Sequence, residues 1–209
     1  MALTTYADII NAACARIGEE PVQDFDDDLG GGQSALLIYE ETVDFNLGLQ
    51  PSGFFFAREV RQLSKLSVAA PFTGFSHVFE VPQPAIGPPV YLTDDPSDPN
   101  RRYTSFILTA NQVHAADNPL YAMVKFRPDP HRWTPTFRSA TITALAGHLA
   151  FAIASDRGQR SDLLTLAYGT PQENFRGGMM RTALNEDAFA NPAREIKADN
   201  NPLTIAWRS

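Results

Sequence analysis

Residues 9–22 read IINAACARIGEEPV, a stretch that specifies one helix and the place where it ends. Its apolar positions recur at helical spacing, which predicts an amphipathic helix over about residues 4–17 with Thr4 or Thr5 as the N-cap. Gly18 stands where a helix C-cap needs a positive φ, and Pro21 prevents the helix from resuming. The positions at helical spacing are Ile9, Ile10, Ala13, Cys14, Arg16 and Ile17.

Three further helices follow from the same spacing. The second is predicted over about residues 33–49, and the third begins at Thr134-Pro135, a good N-cap followed by a good first helical residue. The fourth begins near Ser161, restarts at Thr170-Pro171 because proline cannot continue a turn, and ends near Phe189. The face expected to be buried in the second helix holds Leu36, Leu37, Tyr39, Val43 and Leu47, and that of the third Phe137, Thr141, Leu145, Leu149 and Ile153.

Residues 54–127 have a different character, with clusters of proline and glycine between short alternating runs. The strand candidates are residues 58–66, 75–81, 89–93, 103–108, 112–115 and 120–127. We therefore predict an α+β fold, a four-helix frame with a small antiparallel β-domain inserted between helices two and three. Residues 1–53 and 128–190 form the discontinuous helical domain, residues 54–127 the insert, and residues 191–209 an extended C-terminal tail.

Several segments resemble tail tubular protein A, and more broadly the head-to-tail adaptor (connector) family of tailed bacteriophages and phage-like particles. The opening from Ile10-Asn11 to Pro21-Val22 follows the family's I/V-N … A-x-I-G-E-x-P-V order. Phe54-Phe55-Phe56 holds the place of the family's W-x-F element, with Phe54 where the family has tryptophan. Trp133–Phe137 leads into an alanine-rich helix, and Asp187-Ala188 resembles a pair in the family's last helix.

The resemblance implies a structural virion protein of the tail or neck, assembled in the host cytoplasm, and not an enzyme. Copies would form a homo-oligomeric ring, dodecameric in the family, that docks under the portal protein and continues the DNA channel. The ring would offer a platform to the next tail component, a nozzle or a tail tube or stopper protein. DNA would pass through its bore without specific binding. The alternative, from another class, is a DNA-binding accessory protein of phage genome packaging or head completion.

The charge of the chain is divided unevenly. Residues 1–50 hold ten acidic residues against Arg16 alone, a net charge of −9, which leaves +2 for the remainder of a chain whose net charge is −7. Such a surface suits either repulsion from DNA or contact with a basic neighbour, and the alternative is an acidic face that is merely solvated. Our hypothesis is that the acidic residues around the first loop line or rim the channel, namely Glu19, Glu20, Asp24, Asp26, Asp27 and Asp28.

Motifs for catalysis or metal binding are not found. Asp24–Asp28 fails the ligand pattern of a calcium loop, the four histidines have no zinc-ligand spacing, and Cys14 is the only cysteine. No G-x-S-x-G occurs, and the Gly30–Gly32 run lacks the Lys-Ser/Thr of a phosphate loop. We therefore predict no catalytic residue, no metal and no cofactor. No apolar run approaches the roughly 18 residues of a membrane span, so no membrane partner is expected.

Two segments remain as candidates for binding, one basic and one with an apolar face. Residues 127–133 combine arginine with Trp133 and could contact nucleic acid, although prolines at that spacing also suit a stiff connector into the third helix. In the tail, Leu203, Ile205 and Trp207 alternate with Thr204, Ala206 and Arg208, which is strand periodicity. Our hypothesis for this end is strand addition to the portal, with Leu203, Ile205, Trp207 and Arg208 as the binding residues.

Overall fold

The computed structural model describes residues 3–26, 31–68, 74–98 and 101–190. In these ranges the chain forms two helices, then seven strands, then three helices, so the predicted α+β class is confirmed. The helices are α1 (Tyr6–Ile17), α2 (Gly32–Gly48), α3 (Pro135–Ala152), α4 (Arg157–Tyr168) and α5 (Gly178–Ala190). The strands are β1 (Arg58–Gln62), β2 (Ser64–Lys65), β3 (His77–Glu80), β4 (Tyr91–Thr93), β5 (Phe106–Thr109), β6 (Gln112–Ala115) and β7 (Tyr121–Lys125).

Helix α1 is closed at both ends by local chemistry. Thr5 is the N-cap: its side chain accepts from the Asp8 backbone, and the Asp8 carboxylate accepts from the Thr5 backbone 3.0 Å away. At the other end Gly18 has φ 80°, and the Glu19 backbone donates to the Cys14 carbonyl at 3.1 Å. Only glycine adopts this left-handed position without strain, so the predicted C-cap at Gly18 is confirmed.

Helix α3 is the centre of the helical part. It begins after Thr134, whose side chain caps the Phe137 backbone, and every other helix packs against it. Small residues allow this close approach: a β-carbon placed on Gly147 would lie 3.0 Å from Cγ of Leu164 in α4. The α3 residues buried among the other helices include Phe137, Ala140, Thr141, Ala144, Leu145, Ala146 and Leu149. Ile153, expected in this face, is instead 45% exposed just beyond the helix end.

The region predicted as the fourth helix forms two helices. Asp156 caps α4 earlier than expected, and α4 ends at Tyr168 before Gly169 at φ 79°. Thr170 and Glu173 then form a capping box around a single 3₁₀ turn, Pro171–Glu173, so the restart at Thr170-Pro171 occurs but is short. Helix α5 begins only at Gly178, where a β-carbon would meet the Leu166 carbonyl. The close return of the chain across α4 therefore separates α4 from α5.

The insert contains two antiparallel sheets that share one hydrophobic core. The strand orders are β1-β7-β4 and β2-β3-β6-β5. Leu63 alone separates β1 from β2, so the first predicted strand, residues 58–66, crosses from one sheet to the other. The buried residues come from both sheets and are Leu63, Phe79, Val81, Leu92, Val113, Ala115, Leu120, Ala122 and Val124.

The two ends of the insert lie side by side where they join the helical part, and we refer to this place as the root. The chain enters and leaves side by side, because Arg58 pairs with Lys125 and the Phe126 backbone donates to Ala57 at 2.9 Å. The Asp187 carboxylate of α5 is 2% exposed at this root, where it accepts from the Phe55 backbone at 2.6 Å and from Gln50 Nε2 at 2.8 Å. Aromatic rings fill the space above it, namely Phe54, Phe56, Trp133 and Phe137.

Replacing Asp187 with alanine should lower the free energy of unfolding by about 1–3 kcal/mol, because the Phe55 amide and the Gln50 side chain both lose their acceptor. Urea denaturation measures the loss. Asn185→Ala is the matched control, since Asn185 is exposed on the same helix, and it should change stability by less than about 0.5 kcal/mol. Equal stabilities for the two variants would contradict the role given to Asp187.

Candidate functional site

A wide surface groove lies between α2 and α4, with the end of α3 as its floor. Its volume is about 1060 Å³. Three phenylalanine rings open into it although each is well exposed: Phe45 at 44%, Phe151 at 41% and Phe175 at 55%. Contiguous apolar surface of this kind marks a binding site more often than ordinary protein surface. We refer to it as the α2–α4 groove.

One end of the groove is aromatic. Phe45, Tyr168 and Phe175 meet edge to face, with ring centroids 5.6–5.9 Å apart. Phe175 reaches this position because it and Asn174 adopt left-handed backbone conformations, with φ of 61° and 50°. Residues other than glycine rarely adopt this backbone conformation, because it is strained. The ring contacts of Phe175 offset that strain.

A buried polar chain fixes the aromatic end to the core. The Tyr168 hydroxyl donates to Oδ1 of Asn46 at 2.6 Å, and Nδ2 of Asn46 donates to Oγ1 of Thr141 at 3.1 Å. These two hydrogen bonds connect α4, α2 and α3. Burial also raises the pKa of the Tyr168 hydroxyl. Because each of these buried groups has its partner, breaking one link would leave an unsatisfied polar atom.

The other end of the groove is charged. Arg157 and Arg160 of α4 lie over the Phe151 ring, with guanidinium carbons 6.0 and 5.1 Å from its centroid. His148 and Glu41 complete this end. Desolvation and the nearby Arg160 lower the pKa of His148, against a smaller opposing effect of Glu41. The imidazole is therefore neutral near pH 7, and the two arginines dominate the local charge.

The acidic residues of the first third have different fates. Asp8 is used as a helix cap, while Glu40 and Asp44 pair with Arg127 at 3.5 and 2.6 Å. Of the residues proposed for a channel rim, Glu19 is half-buried, and Glu20, Asp24 and Asp26 are exposed together on the loop after α1. Asp27 and Asp28 lie outside the described residues. Three of these residues are therefore exposed on the same loop.

The loop that carries them is held against α1. Asn11 forms two hydrogen bonds with the Val22 backbone: its Oδ1 accepts from the amide at 2.9 Å, and its Nδ2 donates to the carbonyl at 3.5 Å. Asn11 and Val22 are both in the opening stretch that decides the first helix. The Asp26 backbone also donates to Oδ1 of Asp24 at 2.9 Å. These hydrogen bonds hold the loop in a defined position against α1.

Residues 127–133 act as a connector within the chain. Arg127 is engaged by the two acidic residues of α2, and the buried Trp133 donates its Nε1 proton to the Pro128 carbonyl at 3.0 Å. Arg132 lies over the Phe126 ring. Arg127 and Trp133 therefore already have polar partners inside the protein, whereas His131 and Arg132 are exposed.

The remaining expectations on chemistry concern metals, thiols and membranes. Within residues 3–26, 31–68, 74–98 and 101–190, no cluster of three His, Cys, Asp or Glu side chains could hold a metal ion. Cys14 is buried, and burial raises the pKa of its thiol. In the same ranges no helix combines the length and the hydropathy needed to cross a membrane. The hypothesised portal-binding residues Leu203, Ile205, Trp207 and Arg208 lie outside the described residues.

Comparison with known proteins does not identify a family. No protein-family model and no curated protein matches the chain.

Sequence reasoning missed the groove and the polar residues that build it. Leu37 was expected to be buried but is 65% exposed, and Asn46 is buried in its place. Asp187 had a usable signal, because it continues the buried stripe of Met180 and Ala183 at helical spacing. A carboxylate on such a stripe predicts a buried polar contact.

His148 should make the stability of the protein sensitive to pH. Its folded-state pKa lies below the ordinary value of 6.5, so the unfolded chain binds the proton more readily and stability falls as the pH drops below about 6.5. Thermal melting of the wild type and His148→Gln measures the effect at several pH values. Between about pH 7.5 and pH 5 the melting temperature of the wild type should fall further than that of His148→Gln. Equal decreases in the two proteins would contradict the assignment.

Proposed function

We propose that this chain is a structural virion protein, a ring-forming head-to-tail adaptor that docks under the portal and continues the DNA channel. In the assembled particle it presents a platform to the next tail component. DNA passes through the bore without sequence-specific contacts.

The observation that carries this proposal is the contact between Asp187 and Phe55. These residues belong to two of the segments that resemble the adaptor family, and 132 positions separate them in the chain. Their hydrogen bond closes the root of the insert. A second pair, Asn11 and Val22, joins the two ends of the opening motif. The resembling segments are thus explained by specific side-chain contacts, which supports reading them as parts of one architecture.

The arrangement of the fold is consistent with a ring subunit. We take α1, α2, α3 and the α4–α5 pair as the four-helix frame that forms the wall of the ring. The two ends of the insert pair with each other at Arg58 and Lys125, so it can project as a unit towards the tail side. The C-terminal tail, residues 191–209, lies outside the described residues, and we propose that it reaches the portal.

The connector at residues 127–133 favours the adaptor over a DNA-binding accessory protein. Its arginine and tryptophan have partners within the chain, and the protein as a whole carries a net charge of −7. Phosphate binding depends on available cationic side chains. An adaptor whose bore must let DNA slide has no such need.

Co-sedimentation with the portal protein tests the proposal. We expect one ring of the protein on each portal, twelve-fold as in the family, with the number of copies obtained from the mass of the complex. Electrophoretic mobility shifts at several salt concentrations are the companion measurement, because phosphate binding weakens steeply with salt. If the protein does not co-sediment with the portal but retards DNA in a salt-dependent manner, the proposal is overturned in favour of the packaging accessory protein.

The C-terminal residues should carry the attachment to the portal. Trp207→Ala should cost on the order of 2 kcal/mol of portal binding while the folding of the monomer stays unchanged, since tryptophan is a frequent anchor in interfaces. Truncation after Asn201 should abolish attachment. Asn200→Ala is the control within the same tail, and it should bind like the wild type. Portal binding by the truncated chain at wild-type strength would end the hypothesis.

A further inference from the structure

We infer that the α2–α4 groove receives the acidic loop after α1 from a second copy of the chain, so that copies join head to tail. The acidic loop is defined here as residues 19–26. The inference rests on the proposed function, which requires the protein to self-associate, and it assigns the two surfaces that meet.

The groove combines exposed aromatic rings with arginine. Phe45, Phe151 and Phe175 leave a large part of their rings uncovered, and arginine and aromatic residues are the types enriched in protein interfaces. Arg157 and Arg160 form no ion pair with any residue in the described ranges. The groove thus presents an apolar floor with two arginines and one acidic residue, Glu41, at one end, a net charge of about +1 when His148 is neutral.

The acidic loop combines exposed carboxylates with an aromatic ring. Glu20, Asp24 and Asp26 are exposed, and none has an ion pair within the described part of the chain, in contrast to the acidic residues of α2. An apolar element lies beside them, because the 45% exposed Tyr6 ring packs edge to face on Phe25 at 5.5 Å. Carboxylates and an aromatic ring therefore complement the arginines and the aromatic floor of the groove.

The two surfaces are different parts of the subunit. The acidic loop follows α1, which packs on α3 and α2, whereas the arginines of the groove are on α4, which packs on α3 and α5. Two different surfaces that bind each other in successive copies form a heterologous contact, which produces a ring when the rotation closes.

The acidic loop is also ordered before it binds. The two hydrogen bonds from Asn11 fix Val22, and Gly32 at the start of α2 leaves room for the Asp24 backbone. A surface formed in advance loses little conformational entropy on association. In the inferred contact, the carboxylates of the acidic loop face a neighbouring subunit and not the DNA channel, where the sequence hypothesis places them.

Reciprocal charge reversal tests the contact. The groove variant carries Arg157→Glu and Arg160→Glu, and the loop variant carries Glu20→Arg and Asp24→Arg. Each variant alone opposes like charges, so we expect its self-association to weaken at least about tenfold. An equal mixture should recover assembly, because the groove of each variant then faces a loop of opposite charge. Sedimentation velocity of the full chain, alone and with portal, measures the association.

Matched controls change the same number of charges elsewhere on the exposed surface: Arg102→Glu with Arg181→Glu, and Glu80→Arg with Asp117→Arg. These should associate like the wild type, and unchanged melting temperatures should show that all variants fold. If the wild type assembles and the groove and loop variants assemble equally well, or if their mixture does not recover assembly, this contact is wrong while the adaptor function stands. A wild type that stays monomeric both free and with portal overturns the adaptor function and this contact together.

Discussion

Helix α3 contacts each of the other four helices, and it can do so because small residues line the faces that meet them. Alanines recur along it, and Gly147 accommodates Leu164 of α4 at van der Waals distance. Larger side chains on this helix would push the neighbours outward and open voids in the core. The positions of the other helices therefore follow from one closely packed helix.

The two surfaces of functional interest are consequences of that arrangement. Helices α2 and α4 both pack on α3 and meet at Tyr168, which leaves the groove between them above the end of α3. The acidic loop follows α1, which packs on the same helix. The first ring of α3, Phe137, also packs against Phe54 and Phe56 at the root of the insert. A rigid α3 thus determines how the groove, the acidic loop and the insert are oriented relative to one another.

The features that could be predicted from the sequence are those set by local chemistry. The helix end at Gly18 and the N-cap at Thr134 depend only on neighbouring residues, and both were found. The separation of α4 from α5 was only partly found, because the proline restart is local but the close return of Gly178 across α4 is not. Asn46, Tyr168 and Asp187 were missed since their partners lie 95–137 positions away in the chain. Arg127 was read as a basic residue for the same reason, as its acidic partners lie on α2.

A reconstruction of the portal-bound assembly by electron cryomicroscopy tests the account most directly. It should show a closed ring in which α3 is central to every subunit, Arg157 and Arg160 of one copy face Glu20 and Asp24 of the next, and the inserts point away from the portal. A ring whose acidic loops face the bore or bulk solvent, with the grooves uncovered, would contradict the assigned contact. An assembly without a ring would contradict the account as a whole.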